Sequence, residues 1–288
     1  MATSSLDYSV DQAIASFFER TTATRSACDA FAREHLGGEV VPVAVQGVCS
    51  YTIYAGPNGE FVVQFRLKSS RLSMETVNLA CTIYGDFAPK VVFRGGIGED
   101  AEGKEALYIY VMDRMKGISY LDFILAHNNQ FPESSAEFSS WRKNLVIDVA
   151  KDFDVCNIMV NETTCNLVGV VDWAEAEVAP FGLNLHSLQR LISKVHLKSG
   201  CMRYDDYVTL EDIFWSTFNN EAGGLSDETV KTIEAARIVG LLLSRGFTSR
   251  LSKTTEAVPI RDDESGAYNM RDLDGLLINP ATRYIDLA

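Results

Sequence analysis

The feature that most constrains the fold is a change of hydrophobic period near Val40. Before this point apolar residues recur at helical spacing, and Gly37-Gly38 ends the second of two predicted helices. After it apolar and polar residues alternate, which is typical of strands with one buried face. The alternation continues to Met112 and is interrupted once by a helical pattern. The chain is therefore predicted to be an α+β protein.

The segment from Val40 to Met112 is predicted to hold five strands and one helix. The predicted elements are the strands Val41–Val45, Ser50–Ala55, Glu60–Leu67, Lys90–Arg94 and Ala106–Met112, and the helix Ser73–Tyr84. Gly56-Pro57-Asn58-Gly59 is predicted to be a hairpin turn between the second and third strands. A small antiparallel sheet with one helix inserted after its third strand is the order of elements in the small lobe of a kinase.

The remainder of the chain is mainly helical in pattern. The predicted helices are Leu121–Ala126, Ala136–Lys151, Gly182–Lys198, Glu211–Phe218 and Glu228–Ser244, with a short helix and an irregular end after Tyr268. We therefore expect two domains, residues 1–112 and residues 113–288. Glu228–Ser244 is expected to bury an apolar side made of Ile233, Ala236, Val239, Gly240 and Leu243.

The most informative polar residues lie between Lys151 and Gly182. Asp152 is followed five positions later by Asn157, and Asp172 follows the apolar run Leu167–Val171. A hairpin between Asn157 and Asp172 would fold the second carboxylate back over the first two groups. Carboxylate and amide oxygens are ligands that Mg²⁺ prefers.

This stretch resembles the D-x-x-x-x-N catalytic loop and metal-binding Asp of the aminoglycoside phosphotransferase and choline kinase-like family, and the string CNI.V…G.VDW.EAE..PFG is similar to its fungal members. The resemblance covers nearly the whole chain. It implies a protein kinase-like two-lobe fold, in which residues 1–112 form a five-stranded nucleotide-binding lobe and residues 113–288 a helical lobe. It also implies ATP and Mg²⁺ as cofactors, and transfer of the γ-phosphoryl group to a hydroxyl of an aminoglycoside-like or choline-like small molecule.

The resemblance assigns a role to each of the three polar residues. Asp152 would be the catalytic base, and Asn157 and Asp172 would be the ligands of Mg²⁺. The alternative is that Asp152 is a surface acid at the end of a helix and that Asp172 is a turn residue.

The resemblance also assigns nucleotide contacts at both ends of the predicted sheet. Gly47 and Ser50 lie in the first hairpin, where a kinase lays backbone N–H groups over the phosphates. An ordinary tight turn is the alternative there. Tyr110 and Met112 end the fifth strand, at the position of the hinge whose backbone reads the adenine edge.

A cation is expected on the third strand, paired with a Glu on the inserted helix. Glu75 lies in the first turn of that helix. Motif alignment puts Gln64 at the position of the cation, while Arg66 lies on the same face one pleat further on. Arg66 is therefore the predicted phosphate contact, and a solvated strand charge is the alternative.

Two departures from the family pattern concern activity. The His that usually precedes the catalytic Asp by two positions is Ala150 here. Only 38 residues (114–151) separate Asp113 from Asp152, where the family places several helices. A deletion, a splice form or a gene-model joint near Ala150-Lys151 would account for this gap. The second hypothesis is therefore a catalytically impaired pseudokinase, or a truncated member that binds a nucleotide or a partner without turnover.

Composition restricts the partners and the compartment. The net charge of −13 over 288 residues argues against a nucleic-acid or anionic-membrane surface. The partner that the resemblance implies is a small-molecule hydroxyl acceptor. The six cysteines contain no C-x-x-C pair, which together with the absence of a signal-peptide pattern predicts a cytoplasmic protein. Gly98–Lys104 fits G-x-x-x-x-G-K, but Glu105 replaces the Ser or Thr and a helix is not predicted to follow, so a Walker A loop is excluded.

Overall fold

The computed structural model describes six stretches of the chain, residues 8–127, 135–152, 157–175, 179–196, 200–247 and 258–284. Within them the protein is α+β, as predicted. The chain divides into two compact units. The first ends at Met115 and also takes in the short segment that begins at Asp172, and the second begins at Lys116. Among the described residues, no helix has the length and apolar content to cross a bilayer.

The first unit opens with two helices, α1 (Val10–Phe18) and α2 (Arg25–Leu36). Ser9 and Thr24 are their N-caps, and the side-chain oxygen of each accepts a hydrogen bond from a backbone N–H of the first turn. The second helix ends at Gly37, whose φ of 72° belongs to the left-handed region that glycine adopts without a steric cost. Both helices were predicted.

The first unit also contains the predicted antiparallel sheet of five strands. The strands are β1 (Val41–Pro42), β2 (Ser50–Ala55), β3 (Phe61–Leu67), β4 (Val91–Ile97) and β5 (Leu107–Asp113), in the order β1-β2-β3-β5-β4. The inserted helix, α3 (Met74–Tyr84), connects β3 to β4 and begins at its N-cap Ser73. Gly59 N–H donates to the carbonyl of Gly56 at 3.0 Å, which closes the predicted hairpin turn. The sheet and its inserted helix are confirmed.

Because side chains alternate along each strand, the sheet has two unlike faces. One face is apolar and packs beneath α1 and α2. Its core comprises Tyr51, Ile53, Val63, Phe65, Leu107, Ile109 and Val111, packed with Ile14, Phe17, Cys28 and Ala32. The opposite face, here called the polar face, carries Ser50, Thr52, Gln64, Arg66, Tyr108 and Tyr110. The core of the first unit therefore lies between the sheet and the two N-terminal helices.

The second unit consists of helices and two small sheets. Its elements are β6 (Ile118–Ser119), α4 (Tyr120–His127), α5 (Ala136–Asp152), β7 (Ile158–Val160), β8 (Leu167–Val170), α6 (Gln189–Ile192), β9 (Ser193–His196), β10 (Gly200–Arg203), α7 (Tyr207–Glu221), α8 (Asp227–Arg245) and α9 (Ala267–Leu273). The strands form the sheet β6-β7-β8 and the hairpin β9-β10. The predicted hairpin between Asn157 and Asp172 is the pair β7-β8.

The helical segment predicted within Gly182–Lys198 is confirmed up to Ile192, and the prediction is wrong from Ser193 to His196. A 3₁₀ segment, Leu183–Leu188, leads into a single α-helical turn, and the chain then becomes β9. The hydroxyl of Ser193 donates to the backbone carbonyl of Gln189, so a side chain takes the acceptor near the point where the helix ends. The pairing of β9 with β10 then fixes the extended conformation.

The buried side of α8 also differs from the predicted one. The buried residues are Ile233, Arg237, Gly240 and Leu241, whereas Val239 and Leu243 are exposed. Gly240 explains the close packing, because a Cβ at this position would overlap the carbonyl of Leu183. Arg237 is buried because it forms an ion pair with Glu211 at 2.6 Å. Arg237, which is paired with Glu211, is thus buried on α8 where the apolar pattern predicted that its neighbours would be buried.

Tyr284 gives a test of packing in the second unit. Its ring is 1% exposed, packs with Cys201, Leu241 and Leu276, and lies 4.3 Å from the guanidinium of Arg237, while its buried hydroxyl has no hydrogen-bond partner among the described residues. We expect Tyr284→Ala to lower the free energy of unfolding by about 3–5 kcal/mol. Tyr284→Phe should change it by less than about 1 kcal/mol, because no hydrogen bond is lost. Urea unfolding of both variants measures the difference, and equal losses would contradict this account.

Candidate functional site

The structure brings Ser50, Gln64, Arg66 and Tyr110 together on the polar face of the sheet. Ser50 pairs with Arg66 across β2 and β3, and Gln64 pairs with Tyr110 across β3 and β5. The side chain of Arg66 is held in place at both ends of its guanidinium. Nε donates to the carbonyl of Ser70 at 2.8 Å, and Nη1 donates to Oε1 of Gln64 at 3.1 Å. Gln64 occupies the position where the motif expects a cation. Its side chain instead accepts a hydrogen bond from Arg66, the cation one pleat further on, and so helps to position it.

Arg66 is a buried charge for which the described residues provide no counter-charge. The residue is 7% exposed, and it forms no ion pair with any residue that the structure describes. Removing a guanidinium from water costs several kcal/mol unless an anion compensates it. A planar guanidinium can bind the oxygens of a phosphate through two parallel hydrogen bonds. The surroundings of Arg66 therefore suit an anionic ligand.

Tyr110 is a buried residue of the polar face. Burial raises the pKa of its hydroxyl above the ordinary value, while the N–H of Leu72, which donates to this oxygen at 3.2 Å, opposes the shift. The positive charges of Arg66 and Arg71 oppose it as well, but burial has the largest effect.

Gly47 lies in the segment between β1 and β2, at an exposed position beside the strand that carries Ser50. Its φ lies outside the left-handed region, and a Cβ added to it would meet open space. The fold itself therefore does not require glycine here, and close approach of a ligand to the backbone is a reason for one. The backbone N–H groups of Gly47 and Val48 have no hydrogen-bond acceptor among the described residues.

The other two residues of the predicted nucleotide site lie at the margins of this arrangement. Met112 is half-buried and shares the face of Tyr110, and it is paired with Val62 on one side and Val91 on the other. Glu75 is exposed in the first turn of α3 and forms no ion pair with Arg66. The expected Glu–cation pair is thus not made in the described part of the chain.

The predicted metal ligands both occur at the open end of the β7-β8 hairpin. Asn157 precedes β7, and its carbonyl accepts a hydrogen bond from the N–H of Val171, which follows β8, at 3.0 Å. Asp172 is the next residue along the chain. Asn157 has a φ of 59° and Asp172 a φ of 68°, and both side chains are exposed. Left-handed backbone in residues other than glycine is uncommon, and it is found preferentially at functional sites.

The segment that carries Asp172 is anchored within the first unit. Trp173, which opens the 3₁₀ turn Trp173–Glu175, is buried, and its ring lies 5.0 Å from that of Tyr84 near the end of α3. The residue that follows Asp172 is therefore fixed by packing against a helix.

Asp152 is the last residue of α5, and its side chain lies outside the described residues, as does the segment 153–156. Within the described stretches, no group of three His, Cys, Asp or Glu residues could hold a metal ion. The amide of Asn157 and the carboxylate of Asp172 nevertheless fit Mg²⁺ in kind, because this ion takes oxygen ligands, needs only one or two carboxylates and keeps several waters.

Asp148 is a residue of the site region that sequence reasoning missed. Its Oδ2 accepts from the backbone N–H of Leu167 at 3.0 Å and from Nδ2 of Asn166 at 3.3 Å, and so joins α5 to the start of β8. Asp148 precedes Asp152 by one helical turn, and this i, i+4 spacing was the only signal for it.

No protein-family model matches the chain, and no curated protein shows a significant match to it. The resemblance to the aminoglycoside phosphotransferase and choline kinase-like family, and the roles of the site residues, therefore stay predictions.

The contact of Asp148 with the hairpin can be tested by two variants. Asp148→Ala removes the acceptor of the Leu167 N–H, and we expect a loss of about 1–3 kcal/mol in the free energy of unfolding because the N–H is left unsatisfied. Asp148→Asn keeps a side-chain oxygen and should lose less. Urea unfolding together with hydrogen exchange at the Leu167 amide checks both effects. An amide that exchanges equally slowly in Asp148→Ala would show that the contact does not hold the hairpin.

Proposed function

We propose that this chain is an ATP- and Mg²⁺-dependent phosphotransferase with a protein kinase-like two-lobe fold, and that it transfers the γ-phosphoryl group to a hydroxyl of a small molecule. The first unit would be the nucleotide-binding lobe and the second the helical lobe. The observation that carries the proposal is the buried guanidinium of Arg66, which lies on the polar face without a carboxylate partner among the described residues.

A triphosphate would supply the negative charge that Arg66 lacks. The hydroxyls of Ser50 and Thr52 lie 3.1 Å apart on the same face, and both residues are buried. Hydroxyls, a guanidinium and free backbone N–H groups at Gly47 are all donors that phosphate oxygens accept. The hydroxyls of Ser50 and Thr52 and the guanidinium of Arg66 belong to buried residues, and hydrogen bonds from buried donors are stronger than those at an exposed site.

Asn157 and Asp172 would hold Mg²⁺, which neutralises charge on the phosphoryl groups when it is bound. Each contributes a hard oxygen from a left-handed backbone position. Positions of this kind cost about 1–3 kcal/mol in backbone strain at most residue types, and less at Asn and Asp. Two such positions at the same end of one hairpin support a functional reason for them.

Asp152 would act on the acceptor. Its carboxylate would orient the hydroxyl and take its proton as the hydroxyl oxygen forms a bond to the γ-phosphorus, while the bond from that phosphorus to the β–γ bridging oxygen breaks and ADP leaves. The net charge of −13 favours an amine-bearing acceptor, since a negative field attracts cations. An aminoglycoside-like or choline-like alcohol fits this requirement.

Binding of a nucleotide without turnover is the second candidate. Two observations favour it: Ala150 stands where the family has a His, and Glu75 does not pair with Arg66. In a kinase the Glu–cation pair must be in place for activity. A chain without this pair could retain the phosphate contact and lose the chemistry.

The first test is binding, measured as the rise in Tm with millimolar MgATP. Saturating ligand stabilises a folded protein by about 2.7 kcal/mol at 100 times Kd, so a binding chain should show a clear rise. Arg66→Met should abolish the rise because the cation is lost, and Arg66→Lys should retain part of it. Unfolding without nucleotide is the control for each variant. A wild-type Tm that MgATP leaves unchanged would contradict both candidate functions.

Turnover separates the two candidates. With a panel of amine-bearing alcohols, the wild type should release ADP in an acceptor-dependent manner, and Asp152→Asn should lower the rate about 10²–10⁴-fold, as the loss of a general base does. The same variant should keep its Tm rise with MgATP. Binding without acceptor-dependent turnover in the wild type would favour the non-catalytic candidate instead.

A further inference from the structure

The side chain of Gln46 joins the segment between β1 and β2, here called the 43–49 loop, to β2. Gln46 is 8% exposed, and its amide is fully used. Oε1 accepts from the backbone N–H of Thr52 at 2.9 Å, and Nε2 donates to the carbonyls of Thr52 at 2.8 Å and Val43 at 3.1 Å. A side-chain amide thus bonds both backbone groups of one residue of β2.

The side-chain amide of Gln46 makes the hydrogen bonds to β2 that further main-chain residues of β1 would otherwise make. In β1 the register with β2 runs from Val41 opposite Tyr54 to Pro42 opposite Ile53, and the next N–H, that of Val43, still donates to the carbonyl of Thr52 at 3.1 Å. The main chain then leaves the sheet, and Gln46 provides the donor and acceptor that a continuing strand would supply. Because the Gln46 side chain replaces main-chain pairing with Thr52, β1 is shorter than the predicted Val41–Val45.

The main chain of the 43–49 loop therefore leaves the sheet after Val43. Two further side chains form hydrogen bonds with its backbone, one on either side of Gly47. On one side, the N–H of Gln46 donates to the hydroxyl of Tyr8 at 2.6 Å. On the other, Nη1 of Arg20 donates to the carbonyl of Val48 at 2.7 Å. Between these bonds the N–H groups of Gly47 and Val48 have no acceptor among the described residues.

We propose that Gln46 is a positioning residue for the nucleotide, an inference that rests on the proposed function. It fixes the 43–49 loop in a shape that presents free N–H donors to the phosphates before the ligand arrives. It also acts on Thr52, whose hydroxyl lies beside that of Ser50 on the polar face. Preorganised donors lose little conformational freedom when the ligand binds, so the effect falls on affinity.

The side chain must combine a donor, an acceptor and a fixed reach. Met has a similar length and makes neither hydrogen bond. Glu keeps the acceptor for the Thr52 N–H but, when ionised, cannot donate to the two carbonyls, and it places a negative charge near the phosphates. Gln46→Met and Gln46→Glu therefore separate the loss of the bonds from the addition of charge.

The experiment measures the Kd of MgATP by titration calorimetry well below the Tm, and KM and kcat wherever turnover occurs. We expect Gln46→Met to raise Kd and KM about tenfold and to leave kcat within about threefold, since Asp152, Asn157 and Asp172 are unchanged. Gln46→Glu should raise Kd further at neutral pH.

Phe17→Leu is the matched control. Phe17 belongs to the apolar core of the first unit, so this substitution should lower the Tm without changing the 43–49 loop. If Gln46→Met loses stability as this control does but binds MgATP as tightly as the wild type, Gln46 is structural only and the inference is overturned. If the wild type itself does not bind MgATP, the proposed function fails, and the positioning role fails with it.

Discussion

The first unit depends on the alternation of its strands. Because α1 and α2 cover one face of the sheet with an apolar core, the polar side chains of Ser50, Thr52, Gln64 and Arg66 lie on the other face. Ser50, Thr52 and Arg66 are nevertheless buried, so each of their polar groups must find a partner or carry the cost of desolvation. Gln64 and Ser70 meet part of the hydrogen-bonding capacity of Arg66, and its charge remains uncompensated among the described residues. An anionic ligand that compensated this charge would therefore stabilise the polar face.

The second unit supports its own part of the candidate site by different means. The β7-β8 hairpin is tied to α5 at its turn end by Asp148, and it is closed at its open end by the hydrogen bond between Val171 and Asn157. Asn157 lies at the open end and has a left-handed backbone with a φ of 59°. The hairpin is thus a rigid support for a polar group, which is what a metal ligand requires.

The sequence allowed the sheet, its inserted helix and the β7-β8 hairpin to be predicted, because alternation and glycine turns are local signals. It could not show the bonds between side chains and distant backbone. Ser193 ends a predicted helix, Asp148 joins α5 to β8, and Gln46 replaces a strand, and none of these has a periodic pattern. The buried side of α8 was misread for a related reason, since Arg237 is buried through its ion pair with Glu211.

The excess of acidic residues in the chain makes it notable that Arg66 has no carboxylate partner among the described residues. The sequence contains 39 Asp and Glu residues against 26 Lys and Arg, so a carboxylate partner for a buried guanidinium was abundant in composition. Other buried cations obtained one: Arg142 pairs with Asp206 at 3.1 Å and Arg237 with Glu211 at 2.6 Å. Two described carboxylates accept hydrogen bonds from other residues: Glu60 accepts from the N–H of Asn58, and Glu105 accepts from Ser69. A guanidinium that has no carboxylate partner among the described residues of this acidic chain supports the proposal of an anionic ligand at the polar face.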